Sequence, residues 1–149
     1  MLSIQEDRQW MQRTLVLAQQ ALPVDVPVGA IVVDSQGKLV SEAYNQRELL
    51  QKPSAHAEVL ALDEAAKSLK NWRLNGCTLY VTLEPCSMCS GLIVQSRISR
   101  VVFGAYDPKD GFVSSKSALS LESLQVYGGI LEDECSELLK GFFQARRNQ

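Results

Sequence analysis

The stretch CTLYVTLEPCSMCSGLIVQS, residues 77–96, constrains the chain more than any other part of it. Its first seven residues read as a strand, and two residues later Pro85 opens a helix, in the first turn where its missing N–H costs nothing. The rest of the chain repeats this alternation. Residues 5–22 carry Met11, Leu15, Ala18 and Leu22 at helical spacing and are followed by Pro23, so a helix is expected there. Residues 28–34 and 38–45 read as a hairpin turning at Ser35-Gln36-Gly37. A loop then runs to Pro53, and a helix is expected over 54–69 with Ser54 as its N-cap. A strand over 100–106, a short strand near 123–127 and a helix over 132–147 complete the pattern. The expected fold is a single α/β domain over residues 1–149: three α/β/α layers around a five-stranded mixed sheet, hairpin first and parallel crossovers after.

At 149 residues and 46% hydrophobic, such a domain buries about two-thirds of its unfolded surface and needs no disulfide. Charges at Glu6, Asp7, Arg8 and Arg13 leave the N-terminus with neither the apolar core of a signal peptide nor a membrane span, so a cytoplasmic protein without membrane contact is expected. In that compartment thiols stay reduced, and a close cysteine pair points to metal or redox chemistry rather than to a bridge. The net charge of -2 argues against broad, non-specific adhesion to nucleic acid, while a local basic patch remains open.

Cys86 and Cys89, three apart at a helix start, fall on one face and can converge on one ion, and the helix N-terminus favours their thiolate form. Soft thiolates suit zinc. The third ligand is nearly forced, because His56 is the only histidine and also stands at a helix start. Three protein ligands leave tetrahedral zinc one open position, the mark of a catalytic site, where a water becomes acidic. Cys77 is separated from Glu84 by a strand of about 23 Å at roughly 3.3 Å per residue, and Cys135 is remote in sequence; both read as buried core thiols. Glu58, two residues beyond His56, can reach the same point because first-turn side chains tilt back toward the helix N-terminus, although such an acid can also merely complement the helix dipole. A thioredoxin-like role for the cysteine pair would leave His56 and Glu58 without a task.

HAE at residues 56–58 followed by PCSMC at 85–89 resembles the zinc-dependent cytidine and nucleobase deaminase superfamily. VPVGAIVVD, SAHAEVLAL, NWRLNGCTLYVTLEPCSMCSGLIVQSRISRVVFGAYD and LLKGFFQARR are similar, across most of the chain, to bacterial tRNA-specific adenosine deaminases. The resemblance implies a cytidine-deaminase-like fold, a homodimer with one Zn2+ per subunit, and hydrolysis of adenosine to inosine at the wobble position of a tRNA anticodon loop. It places His56, Cys86 and Cys89 on the metal, Glu58 on the proton shuttle between a metal-activated water and the base, and Asn45 on a substrate contact. The Ala57 N–H is expected to face the base edge, and Asp107 the nucleotide backbone. Phe142 with Phe143 and Arg146 with Arg147 match the family's aromatic and basic pairs, Phe143 and Arg146 being the expected RNA contacts. Blander readings stand beside these: Asn45 as a strand-ending turn residue, the phenylalanines as core, the arginines as helix C-terminal charges. One departure is the stretch 111–126, GFVSSKSALSLESLQV, which is shorter than the family's segment and lacks its Asn-His pair. A deaminase of free bases or nucleosides and a non-catalytic zinc module are the alternatives.

Overall fold

The computed structural model describes residues 3–113 and 124–148. Five strands form one sheet: β1 (Gly29–Val33), β2 (Leu39–Tyr44), β3 (Thr78–Leu83), β4 (Arg100–Ala105) and β5 (Gln125–Tyr127), in the order β2-β1-β3-β4-β5. β1 is antiparallel to both β2 and β3, whereas β3/β4 and β4/β5 are parallel, so the sheet is mixed. The hairpin turn is closed by Asp34, whose Oδ1 accepts from the Gln36 and Lys38 N–H groups, with Gly37 at φ 80°.

The helices are α1 (Ile4–Ala18), α2 (Arg47–Leu50), α3 (Ala57–Leu69), α4 (Ser87–Gln95) and α5 (Glu132–Arg147). Alternation along the strands divides the core in two. Ala30, Val32, Leu79 and Val81 point to the side of α3 and α4, where Ala57, Ala61, Ala65 and Ile93 meet them. Ile31, Val33, Tyr80 and Val102 point the other way, to Met11 and Leu17 of α1 and Cys135 of α5. The small residues on α3 and the glycines let helix and sheet approach closely: a Cβ on Gly29 would lie 2.4 Å from the Thr14 carbonyl of α1. Three layers result, as expected.

Several boundaries differ from the sequence reading. α1 starts earlier, where Ser3 and Glu6 form a reciprocal capping box. It ends at Ala18 and passes through a 3-10 turn, Gln19–Ala21, because Leu22 precedes Pro23 and is held extended at ψ 151°. Ser54 is not the N-cap of α3; it lies in a turn closed by Ala55 N–H to the Lys52 carbonyl, and His56 is the N-cap instead. The loop expected up to Pro53 contains α2. Of the shortened stretch 111–126, residues 114–123 lie outside the described residues.

Candidate metal centre and substrate cleft

The candidate site lies at the sheet end where β2 and β3 finish and β1 begins. His56, extended at ψ 151°, is the N-cap of α3, and Cys86, extended at ψ 178°, is the N-cap of α4. Neither makes a side-chain capping bond, and neither residue type is a favoured N-cap, so local helix propensity does not account for them. Their position does: side chains at helix starts project beyond the helix end, and two such starts facing one another bring His56, Cys86 and Cys89 together. Cys86 therefore stands just before α4 rather than inside it, with Cys89 three residues on, still within the first turn.

His56 Nδ1 lies 3.8 Å from Cys86 Sγ and 3.4 Å from Cys89 Sγ, and the three ligand atoms are all within 4.8 Å of one another. An ion held at about 2.0–2.1 Å from nitrogen and 2.3 Å from sulfur, with tetrahedral angles, would set N···S separations of about 3.6 Å. The measured pair brackets that value, and two sulfurs with one imidazole are a donor set suited to zinc. Among the described residues this is the one group of three or more His, Cys, Asp or Glu side chains arranged to hold a metal. Cys77 sits at the opposite end of β3, where Asp34 is a neighbour, and Cys135 packs against Gly104 beneath α5 on the other sheet face. Both are buried thiols outside the site.

Hydrogen bonding from Cys89 and from His56 draws the Cys86 thiol down to about 3, so Cys86 is a thiolate. The same contact with Cys86 raises His56, and donation to Cys86 together with burial pushes Cys89 up. Metal ligands bind deprotonated, so metal binding to this cluster releases protons. Glu58, 5% exposed, is raised above the ordinary carboxylate range by burial, against the pull of its own backbone N–H and of His56. A carboxyl so placed is poised to hold a proton as well as to take one.

His56, Glu58 and Cys86 line a cleft of about 510 Å³. Asn45, Ala57, Phe143 and Arg146, the residues expected to contact substrate, line it, with Phe142 beside them. Asn45 is held on both sides of its amide: Nδ2 donates to the Val26 carbonyl at 3.1 Å and Oδ1 accepts from the Arg47 N–H at 3.1 Å. Phe142 is buried and Phe143 is half-exposed, the two rings meeting edge to face at 5.2 Å. Arg146 donates from Nη2 to the Val24 carbonyl at 3.0 Å and lies over the Phe142 ring. Arg147 is exposed and does not line the cleft. Asp107 does not line it either; its carboxylate accepts the N–H groups of Lys109 and Asp110, and Asp110 reaches the rim instead. The sequence reading missed Asp25, Val26, Arg47, Glu48 and Asp110, which also line the cleft. The one available signal was an acid between two prolines in PVDVP at residues 23–27.

The family model of the MafB19-like deaminases matches residues 5–147. The tRNA-specific adenosine deaminase of Bacillus subtilis (strain 168) is 43% identical over 97% of this chain and 92% of its own. That of Haemophilus influenzae is also 43% identical, over 96% of this chain and 86% of its own. A solved structure from studies of A-to-I editing by tRNA:A34 deaminases superposes with a TM-score of 0.82 at 37% identity, covering 88% of this chain and 99% of that one. The guanine deaminase of Nitrosomonas europaea superposes at 0.80 with 25% identity, covering 91% of this chain and 83% of that one. The chain belongs to the MafB19-like deaminases and, among them, to the tRNA-specific adenosine deaminases.

Proposed function

We infer that the protein hydrolyses adenosine to inosine at the wobble position of a tRNA anticodon, with His56, Cys86 and Cys89 holding zinc and Glu58 moving the protons. The observation that carries this reading is the convergence of three ligand atoms within 4.8 Å beside a cleft lined by His56, Cys86 and Glu58. Zinc bound there would act as a Lewis acid that lowers the pKa of water. Glu58 takes one proton of the water that attacks purine C6 and gives it to N1, then takes the second from the new C6 hydroxyl and gives it to the departing amine, so the C6–N bond breaks and adenosine and water become inosine and ammonia. The Ala57 N–H, in the first turn of α3 and free of an intrahelical partner, faces the base edge. Asn45 keeps a second N–H and a second lone pair for base or ribose. At the rim, Phe143 offers an aromatic face to an unstacked base, and Arg146 offers a cation to phosphate. Asp107 serves the RNA by ordering the 107–111 turn that carries Asp110 to the rim.

A homodimer in the cytoplasm completes the reading. The dimer is supported by two large apolar side chains left exposed, Met88 of α4 and Trp72 just after α3. No helix among the described residues is long and apolar enough to cross a membrane. The test is inosine formation from an anticodon stem-loop whose wobble base is adenosine, set against free adenosine, guanine and cytosine. Turnover of the stem-loop is expected; turnover of free guanine or cytosine in its place would reassign the protein to base salvage.

A further inference from the structure

We propose that Asp25 is a positioning residue for the substrate: its buried carboxylate fixes the start of α2, and through α2 the cleft wall made by Asn45, Arg47 and Glu48. The proposal rests on the reading that this cleft receives an adenosine of RNA. Asp25 is 2% exposed and lies at the cleft between Pro23 and Pro27. Its Oδ1 accepts from the Glu48 N–H at 2.6 Å, and its Oδ2 from the Leu49 N–H at 3.1 Å. These are capping bonds supplied from 23 and 24 residues away.

α2 needs them. It has only four residues, far below the length at which a helix holds itself, and its own N-cap, Gln46, makes no side-chain capping bond. Its first three N–H groups are covered entirely by two side chains: Arg47 by Asn45 Oδ1, Glu48 and Leu49 by Asp25. The neighbouring segment is stitched back in turn, since Asn45 Nδ2 donates to the Val26 carbonyl and Asn45 N–H to the Val28 carbonyl. Asp25 and Asn45 thus close a ring of bonds between residues 25–28 and 45–49. Removing the Asp25 carboxylate breaks both charge-assisted bonds, leaves two N–H groups without their acceptor, and frees one side of the wall that carries Asn45. The metal ligands, held by α3 and α4, are not part of that ring.

The experiment uses the zinc-loaded full chain, an anticodon stem-loop RNA, and the variants Asp25→Ala and Asp25→Asn. In Asp25→Ala, zinc content should stay at the wild-type level and amide hydrogen exchange at Glu48 and Leu49 should quicken. KM for the RNA should rise by about tenfold while kcat changes by less than about threefold. Asp25→Asn keeps one acceptor oxygen and should fall between Asp25→Ala and the wild type in both exchange and KM; it carries the test alone if the alanine variant does not fold. Faster exchange with an unchanged KM would overturn the proposal. A raised KM with unchanged exchange would overturn it too, making Asp25 a direct substrate contact. Failure of the underlying reading is separate and is seen first, as a wild-type protein that makes no inosine from the RNA.

Discussion

Glu58→Gln isolates the proton chemistry from everything else in the cleft. The amide has the size and shape of the carboxyl it replaces but cannot accept and release a proton between water, ring nitrogen and amine. A positioned general acid–base is worth about 10² to 10⁴ in rate, or about 2.7–5.4 kcal/mol of barrier at 1.36 kcal/mol per decade. In the proposed reaction Glu58 serves two transfers, so the loss should lie at or beyond the top of that range. Stability should change little, because burial already disfavours the ionised form of Glu58 and a neutral amide suits that environment. The assay is inosine formed in a stem-loop RNA, read beside zinc content and thermal melting of the same preparations. A fall of at least about ten-thousandfold in kcat, with zinc and melting temperature retained, is expected. Activity within about tenfold of wild type would refute the shuttle assignment, and a parallel loss of zinc would mean that Glu58 supports the metal instead.

Three other outcomes follow from particular contacts. Asp7 receives the Tyr80 hydroxyl at 2.6 Å and Arg100 Nη2 at 2.8 Å in the buried layer under α1, so Asp7→Ala should cost about 3–5 kcal/mol in urea unfolding. Deamination below the melting transition should persist, since that triad faces away from the cleft. Arg146→Ala should reduce the slope of log affinity against log salt by about 0.7, the share of one phosphate on single-stranded nucleic acid; an unchanged slope would leave Arg146 only its bond to Val24. Burial raises the Cys135 thiol from its ordinary 9.0 to about 12 in the folded chain. The unfolded chain then releases that proton first, so the contribution is fully present below about pH 9 and is lost as pH climbs toward 12. Cys135→Ala should flatten this alkaline loss in pH-dependent unfolding curves; an equally steep curve would refute the assignment to Cys135.

How far the sequence carries the reader depends on whether a feature is local. The hairpin with its Asp34 and Gly37 turn, the β3–α4 junction and α5 are set by residues close to one another in the chain, and their ranges agree with the structure to within about two residues. The convergence of His56, Cys86 and Cys89 is legible for a chemical reason: a lone histidine and a spaced thiol pair are residue types suited to one metal ion. Its local geometry is less so, because His56 and Cys86 occupy N-cap positions that propensity would give to Ser, Thr, Asp or Asn. That same rule selects Ser54 in the sequence and is overruled by the turn after Lys52. α2 and its bonds to Asp25 are invisible to local rules, since four residues carry no periodicity and their cap arrives from another part of the chain. Asp107 shows the converse: a motif match names the residue, while its carboxylate is engaged in holding the turn that brings Asp110 to the rim.

The central claim is that the cluster of His56, Cys86 and Cys89 is the centre of a hydrolytic deaminase, and the most direct measurement titrates metal against product. Chelator-stripped protein is given zinc in steps, and bound metal and inosine in a stem-loop RNA are measured at each step. The account predicts no inosine from stripped protein, then activity rising in proportion to bound zinc until one ion per chain, with neither binding nor activity in Cys89→Ser. Full activity in the stripped protein, or zinc binding that leaves the RNA unchanged, would contradict it.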